Sequence, residues 1–435
     1  MNTNIETVLA RRVWDSRGRP TVEVDVILAN GLRGRGVAPA GASRGSREAV
    51  DLRDGGAHLG GFDVQAALAN VNGEIARRIR GMDVMNQEAV DQALIELDGT
   101  PTKSRLGGNA TIATSLAVLH AAAAAAGQPL WRYLAGADPV RMPLPQIQIF
   151  GGGAHAGRRV DIQDFMVMPV GAATFDEAMV MTAEVYRAAG DLMETLGRRC
   201  GVADEGGWWP DFKSNEEAIE TLTRAITAAG YRHDQVAIAL DVAASEFGRN
   251  GRYTLGLDQR TYDSSEWIEV LQGWVARYPI VSVEDPLAED DAEGMREFTA
   301  AVGERIQVVG DDYLVTNSRL VSEAITAKSC NAVLIKPNQA GTITETRQAL
   351  DVARGAGWGT VVSARSGETE DVAIVHLATG WNTGQLKVGS FARSERMAKW
   401  NEALRIEAEI GSSALYAGGK ALVGRGNASA LAREY

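Results

Sequence analysis

Hydrophobic and polar positions change rhythm partway along the chain. From Thr21 to Leu28 (TVEVDVIL) apolar and polar residues alternate, the period of a strand with one buried face. The Asn30-Gly31 pair is a hairpin turn signal ahead of another short strand near Val37. This predicts a β-meander. A glycine-rich loop follows, Ala40 to Ser46 (AGASRGS), and then helical patterns that end in the alanine-rich stretch Asn109 to Ala126, with Gly127 as its stop. Residues 1–137 therefore read as a small N-terminal α+β domain.

Over residues 138–435 short apolar runs end in a polar or charged residue, and amphipathic helix-like stretches follow. The runs end at Asp241 (VAIALD), Glu284 (IVSVE), Asp311 (IQVVGD), Lys336 (AVLIK), Ser363 (GTVVS) and Lys387 (QLK). The last five ends are 27, 25, 27 and 24 residues apart, one βα unit each. Continuous apolar runs are what parallel strands buried on both faces look like, and polar strand ends are where barrels carry their chemistry. An α/β chain with a C-terminal (β/α)8-type barrel is predicted. Strand order is not written in the pattern, so a doubly wound sheet is the alternative.

Composition narrows the function classes. With 45% hydrophobic and 23% charged residues, the 435-residue chain has apolar content for a large core. A net charge of -12 argues against a nucleic-acid surface, which needs clustered Lys and Arg. No run approaches the ~18 apolar residues of a membrane span, and the start MNTNIETVLARRV lacks a signal peptide's apolar core, so a cytoplasmic location is expected. Cys200 and Cys330 form no CxxC pair and are expected to be buried thiols.

Three carboxylates at successive strand ends, Asp241, Glu284 and Asp311, would converge above a barrel. All-oxygen ligands suit a hard cation such as Mg2+; with five histidines in the chain, zinc is disfavoured. Singly, each acid could equally cap a helix. Lys336 and Lys387 end two further strands and place two ammonium groups over the same mouth. A lysine beside other cations loses proton affinity, as a general base requires. The plainer alternative is that both merely neutralise the acids.

The motifs DSRGRPTVEVDV, AGASRG, ELDGT, HAG, QDFM, DEGG, LDVAASEF, VEDP, GDD, IKPNQAG, SARSGETED, TGQLKVG, ARSER and ALRIEAEIG, in this order along nearly the whole chain, resemble the enolase family. The resemblance implies that Asp241, Glu284 and Asp311 bind a first Mg2+ and that Lys336 takes a proton from C2 of a small phosphorylated substrate. It implies that Ser43 admits a second Mg2+ and that Glu205, with Gln163 and Asp164 behind it, assists departure of the C3 hydroxyl. His155 would close over the substrate, Lys387 contact its carboxylate or phosphate, and Arg365 with Ser366 grip the phosphate. A homodimer or higher homo-oligomer is also implied.

Around this site the chain departs from the family. Ala364 stands where enolases have histidine and Asp164 where they have glutamate, and the loop reads GGGAH rather than NGGSH, so Gly151 and Ala154 replace polar groups. Ala40 replaces a serine and Arg44 a threonine beside Ser43, Pro337 follows the base, and Trp208-Trp209 follow DEGG as packing or as a lid. Losing one donor aimed at transition-state charge typically costs about 2.7–4 kcal/mol, and a misplacement of about 1 Å roughly a hundredfold. These departures predict a paralogue acting on a modified phosphoglycerate. Arg44 would contact its extra anionic group or stand as a surface charge; the first reading would suit a carboxyphosphonoenolpyruvate synthase of phosphonate or phosphinate antibiotic synthesis. Ordinary phosphopyruvate hydratase and an inactive binding protein are the alternatives.

Overall fold

The computed structural model describes residues 2–42 and 44–424. Its N-terminal part opens with the antiparallel strands Ile5–Trp14, Pro20–Leu28 and Arg33–Val37, paired in chain order. Gly31 makes the expected turn at φ 84°, a conformation that side chains resist. The alanine-rich helix spans Gly108–Ala125, and Gly127 follows it at φ 65°. A Cβ on Gly34 would lie 2.1 Å from the Ala117 carbonyl oxygen, and one on Gly36 2.4 Å from that of Ala113. Strand glycines and helix alanines thus serve one contact, of backbone against backbone.

Alternation over Thr21–Leu28 predicts a solvated face, but Thr21, Glu23 and Asp25 are buried. Arg11 pairs with both Glu23 and Asp25, and Arg35 donates to Asp25 at 2.9 Å. Burial pushes the Asp25 carboxyl up, yet the hydrogen bonds from Arg35 and Arg11 outweigh it and hold the group below its usual range. Guanidinium groups from the flanking strands cover a face that the pattern assigns to water.

Eight strands close the barrel in chain order: Leu144–Gly151, Asp164–Met168, Ala237–Asp241, Ile280–Glu284, Gln307–Gly310, Ala332–Ile335, Gly359–Ser363 and Gly384–Ser390. Closure removes the doubly wound alternative. Asp241, Glu284 and Ser363 are the last residues of their strands, Asp311 and Lys336 stand one residue beyond theirs, and Lys387 lies within the last strand. One strand breaks the uniform (β/α)8 pattern, because Asp164–Met168 runs antiparallel to both neighbours. It is joined to the first strand as a hairpin, which needs no crossover helix. Its side chains divide by parity: Met166 and Met168 join Leu144, Ala237 and Ala239 in one apolar cluster, whereas Phe165 and Val167 belong to the main core.

Among the described residues no helix is long and apolar enough to cross a membrane. Cys330 is buried as expected, but Cys200 is exposed. Trp208 stacks on Tyr186 with ring centroids 4.8 Å apart, and its indole N–H donates to the Tyr186 carbonyl, which is packing rather than a lid.

His376, buried on the helix Ala373–Gly380, has its Nε2 3.4 Å from Glu402, and burial pulls its pKa down to about 4 from an ordinary 6.5. The folded state therefore resists a proton that the unfolded chain accepts. Stability from this group is present above pH ~6.5 and is lost as pH falls toward 4, by at most on the order of 3 kcal/mol. The melting temperature of wild type is expected to fall more steeply between about pH 7 and pH 5 than that of His376→Gln. Parallel curves would show that His376 does not contribute.

Candidate active site

The strand ends deliver most of the expected groups to one buried place. His155, Gln163, Asp164, Glu205, Asp241, Lys336, Ala364, Arg365, Ser366 and Lys387 line a single pocket. Glu284 and Asp311 are equally buried beside it, each paired to one of its lysines. Ser43 lies outside the described residues. Arg44 is not brought to this pocket: its side chain is 55% exposed, with Asp51 its acidic neighbour at 4.0 Å.

The carboxylates divide between two ammonium groups. Lys387 Nζ lies 2.7 Å from Asp241 and 2.8 Å from Glu284, and Lys336 pairs with Asp311. Burial, and then the charge of Asp241, push the Glu284 carboxyl well up. Buried acids in such number favour a cation, and their all-oxygen chemistry fits the expected hard dication. The closest groupings of ligand-type atoms among the described residues are two other sets, Asp285 with Asp311 and Asp312, and His155 with Asp164 and Glu205, each set within 4.8 Å.

Lys336 departs from the expectation of lowered proton affinity. Burial pulls its pKa down, but the ion pair with Asp311 more than offsets this and leaves it raised. Arg365 and Lys387 act in the direction a base requires, but the charge of Asp311 outweighs them. Gln339 also donates to Asp311, at 2.9 Å, from the short helix Pro337–Ala340. Pro337 suits its place as the first residue of that helix, where no N–H is needed.

The remaining groups form a second cluster. His155 Nε2 stands 3.7 Å from Asp164 and 3.8 Å from Glu205, with all three buried. Burial raises the Asp164 carboxyl to about 6, against the opposing charges of His155 and Lys387. Glu205 is also pushed up by burial, but His155 and Arg396 bring its net shift below the ordinary range. Gln163 does not back Glu205; its amide donates to Asp241 at 3.0 Å. Ala364 presents only a methyl group to the pocket, and its N–H donates to the Lys387 carbonyl at 2.9 Å.

Three supporting residues escape the sequence reading. Asp285, at φ 40°, accepts from the N–H groups of Asp311 and Asp312 at 2.8 and 2.7 Å, and burial followed by the charge of Asp311 moves its carboxyl to about 8. Glu48 reaches from the N-terminal part to accept from Arg365 at 3.0 Å and from Gln339 at 3.2 Å. Arg396, fully buried, donates to the carbonyls of Arg365, Ser366 and Val388. Asp285 and Arg396 lie inside quoted motifs, VEDP and ARSER; their roles depend on which backbone groups come near, which no motif states.

Comparison with known proteins completes the assignment. The family described as "Enolase, N-terminal domain" matches residues 5–134, and "Enolase, C-terminal TIM barrel domain" matches residues 139–424. "Enolase 1" of Methylococcus capsulatus (strain ATCC 33009 / NCIMB 11132 / Bath) is 49% identical over 422 residues, covering 96% of this chain and 100% of that protein. "Enolase 1" of Desulfitobacterium hafniense (strain Y51) is 50% identical over 416 residues, 95% of each chain. These likenesses favour an ordinary enolase over the secondary-metabolism synthase expected from the altered residues, and lend no support to a phosphonate or antibiotic role. Enolases are magnesium-dependent carbon–oxygen lyases of the hydro-lyase type, and this chain belongs to the enolase family.

Proposed function

We propose that the chain catalyses the ordinary enolase reaction, reversible loss of water from 2-phosphoglycerate to give phosphoenolpyruvate. The observation that carries this is the meeting of Lys336 and Glu205 in one buried pocket, each with its own partners. Lys336 removes the C2 proton, and Glu205, with Asp164 and His155 around it, assists the hydroxyl leaving C3. Arg365 and Ser366 bind the phosphate, and Lys387 the carboxylate. Asp241, Glu284 and Asp311 hold Mg2+, whose chemistry when bound is to stabilise the negative charge that proton removal places on the substrate. Ser43 is assigned to a second Mg2+ on the family motif alone.

Ala364 favours a second reading, in which the space left by the family's imidazole admits a modified phosphoglycerate. One assay separates the two: purified protein with Mg2+ and 2-phosphoglycerate, followed by enol absorbance and by C2 deuterium exchange. Turnover in the ordinary enzyme range, roughly 1–10³ per second, is expected. Exchange with little product, restored to product by Ala364→His, would instead establish the modified substrate.

Two further outcomes follow from the assigned roles. Lys336→Met is expected to lose both exchange and product by about 10²–10⁴-fold, the span of general-base catalysis, whereas Glu205→Gln keeps exchange and loses product. Loss of exchange in Glu205→Gln would place both residues in one step. Mg2+ at about a hundred times its dissociation constant is expected to stabilise wild type by roughly 2.7 kcal/mol, read as a higher melting temperature. Asp241→Ala and Glu284→Ala should lack that rise, and its persistence in them would move the metal elsewhere.

A further inference from the structure

Gln148 belongs to none of the roles above, yet it is almost fully buried beside them, 1% exposed on the first barrel strand. Its side-chain N–H donates to Asp164 Oδ1, and its amide oxygen accepts from the Gly207 N–H at 2.9 Å. Both ends of the amide are therefore committed, and the orientation is fixed because a carboxylate accepts and an N–H donates. Gly207 stands two residues after Glu205, so one side chain ties together the two acids of the leaving-group cluster.

Two glycines make room for it. A Cβ on Gly151 would come 2.9 Å from the Gln148 amide oxygen and 2.7 Å from the Ala203 methyl; one on Gly207 would come 2.4 Å from the same oxygen. Gln148 thus occupies the space in front of Gly151, where the family motif NGGSH carries asparagine. Asp164, in turn, is one methylene shorter than the family's glutamate, about 1.5 Å less reach. Two departures that look independent in the sequence meet at one amide. Oδ1 of Asp164 faces Gln148 and, at 3.7 Å, His155, while Oδ2 faces Lys387 at 3.5 Å.

We propose that Gln148 is a positioning residue for water elimination, holding the shortened acid Asp164 and the backbone after Glu205 in register, in place of the amide absent from position 151. The proposal rests on the roles given above to Asp164 and Glu205. A buried amide that served packing alone would influence folding and leave the division between proton exchange and elimination untouched. A positioning amide acts on elimination, where misplacement by about 1 Å costs roughly a hundredfold.

The test compares wild type, Gln148→Leu, Asp164→Glu, Gln148→Asn and the double variant Gln148→Asn/Asp164→Glu, with 2-phosphoglycerate and Mg2+. Gln148→Leu is expected to lower kcat for product about ten- to a hundredfold, with KM within about threefold and C2 exchange retained. The double variant, which moves the methylene from amide to acid, should recover at least tenfold over its poorer parent. Equal loss of exchange and product in Gln148→Leu, or effects that simply multiply in the double variant, would overturn the proposal. Should Gln148→Leu fail to fold, the Asn/Glu pair decides alone. Should wild type not turn over 2-phosphoglycerate, the functional reading fails by itself. Melting temperatures of Gln148→Asn, Asp164→Asn and their combination then test the contact by itself, where additive losses overturn the proposed tie between the two side chains and non-additive losses sustain that tie without a part in elimination.

Discussion

Buried opposite charge at the barrel mouth is the constraint on which the rest of this structure depends. Asp241, Glu284 and Asp311 face Lys336 and Lys387 with almost no access to water. Charges removed from water cost several kcal/mol each, and removing one partner leaves the other stranded. Fixed geometry at the ends of short, fully buried strands is what makes the arrangement tolerable, because each carboxylate meets its ammonium without further ordering. The N-terminal part joins the same economy of charge, with Glu48 set against Arg365 and the Ala40 and Gly367 backbones bonded at 2.8 and 3.0 Å. Its meander is built around ion pairs too, Arg11 and Arg35 over Glu23 and Asp25.

Legibility in the sequence followed the period of the structure. The last six barrel strands were readable because each is a short apolar run closed by a polar residue at the mouth. The first two were not, since a hairpin pair has neither the spacing of a βα unit nor a charged terminus at the same end. Alternation located the Pro20–Leu28 strand but misjudged its polar face, because cover by arginines from adjacent strands is a tertiary event. Cys200 is exposed for a similar reason: burial tendency says nothing about one loop. At the site, residue types and order were enough to name most groups that line the pocket. Pairing was not: Gln163 bonds Asp241, Arg44 stays in solvent, and Asp285, Glu48 and Gln148 act through backbone or amide contacts without sequence periodicity.

The altered residues take on a different look once their surroundings are known. Pro337 opens a helix, Trp208 packs on Tyr186, and Gly151 yields space to Gln148. Such substitutions are accommodations among neighbours rather than separate losses, consistent with relatives half identical to this chain that are named as enolases. Ala364 is the exception, for it presents only a methyl group to the pocket.

The reversed second strand has one more consequence. In this barrel Asp164 begins its strand, paired across to Gly151 on one side and to Asp241 on the other. Its carboxylate is therefore held by registry at both edges, where a loop residue would be held by its own torsions. A shift of one position along that hairpin would turn Phe165 toward the mouth and Asp164 toward the outer helices, exchanging an acid for a ring in a single step. Evolution of the connecting segment 152–163, which leaves and re-enters the mouth, is thus free in length only where that parity is kept.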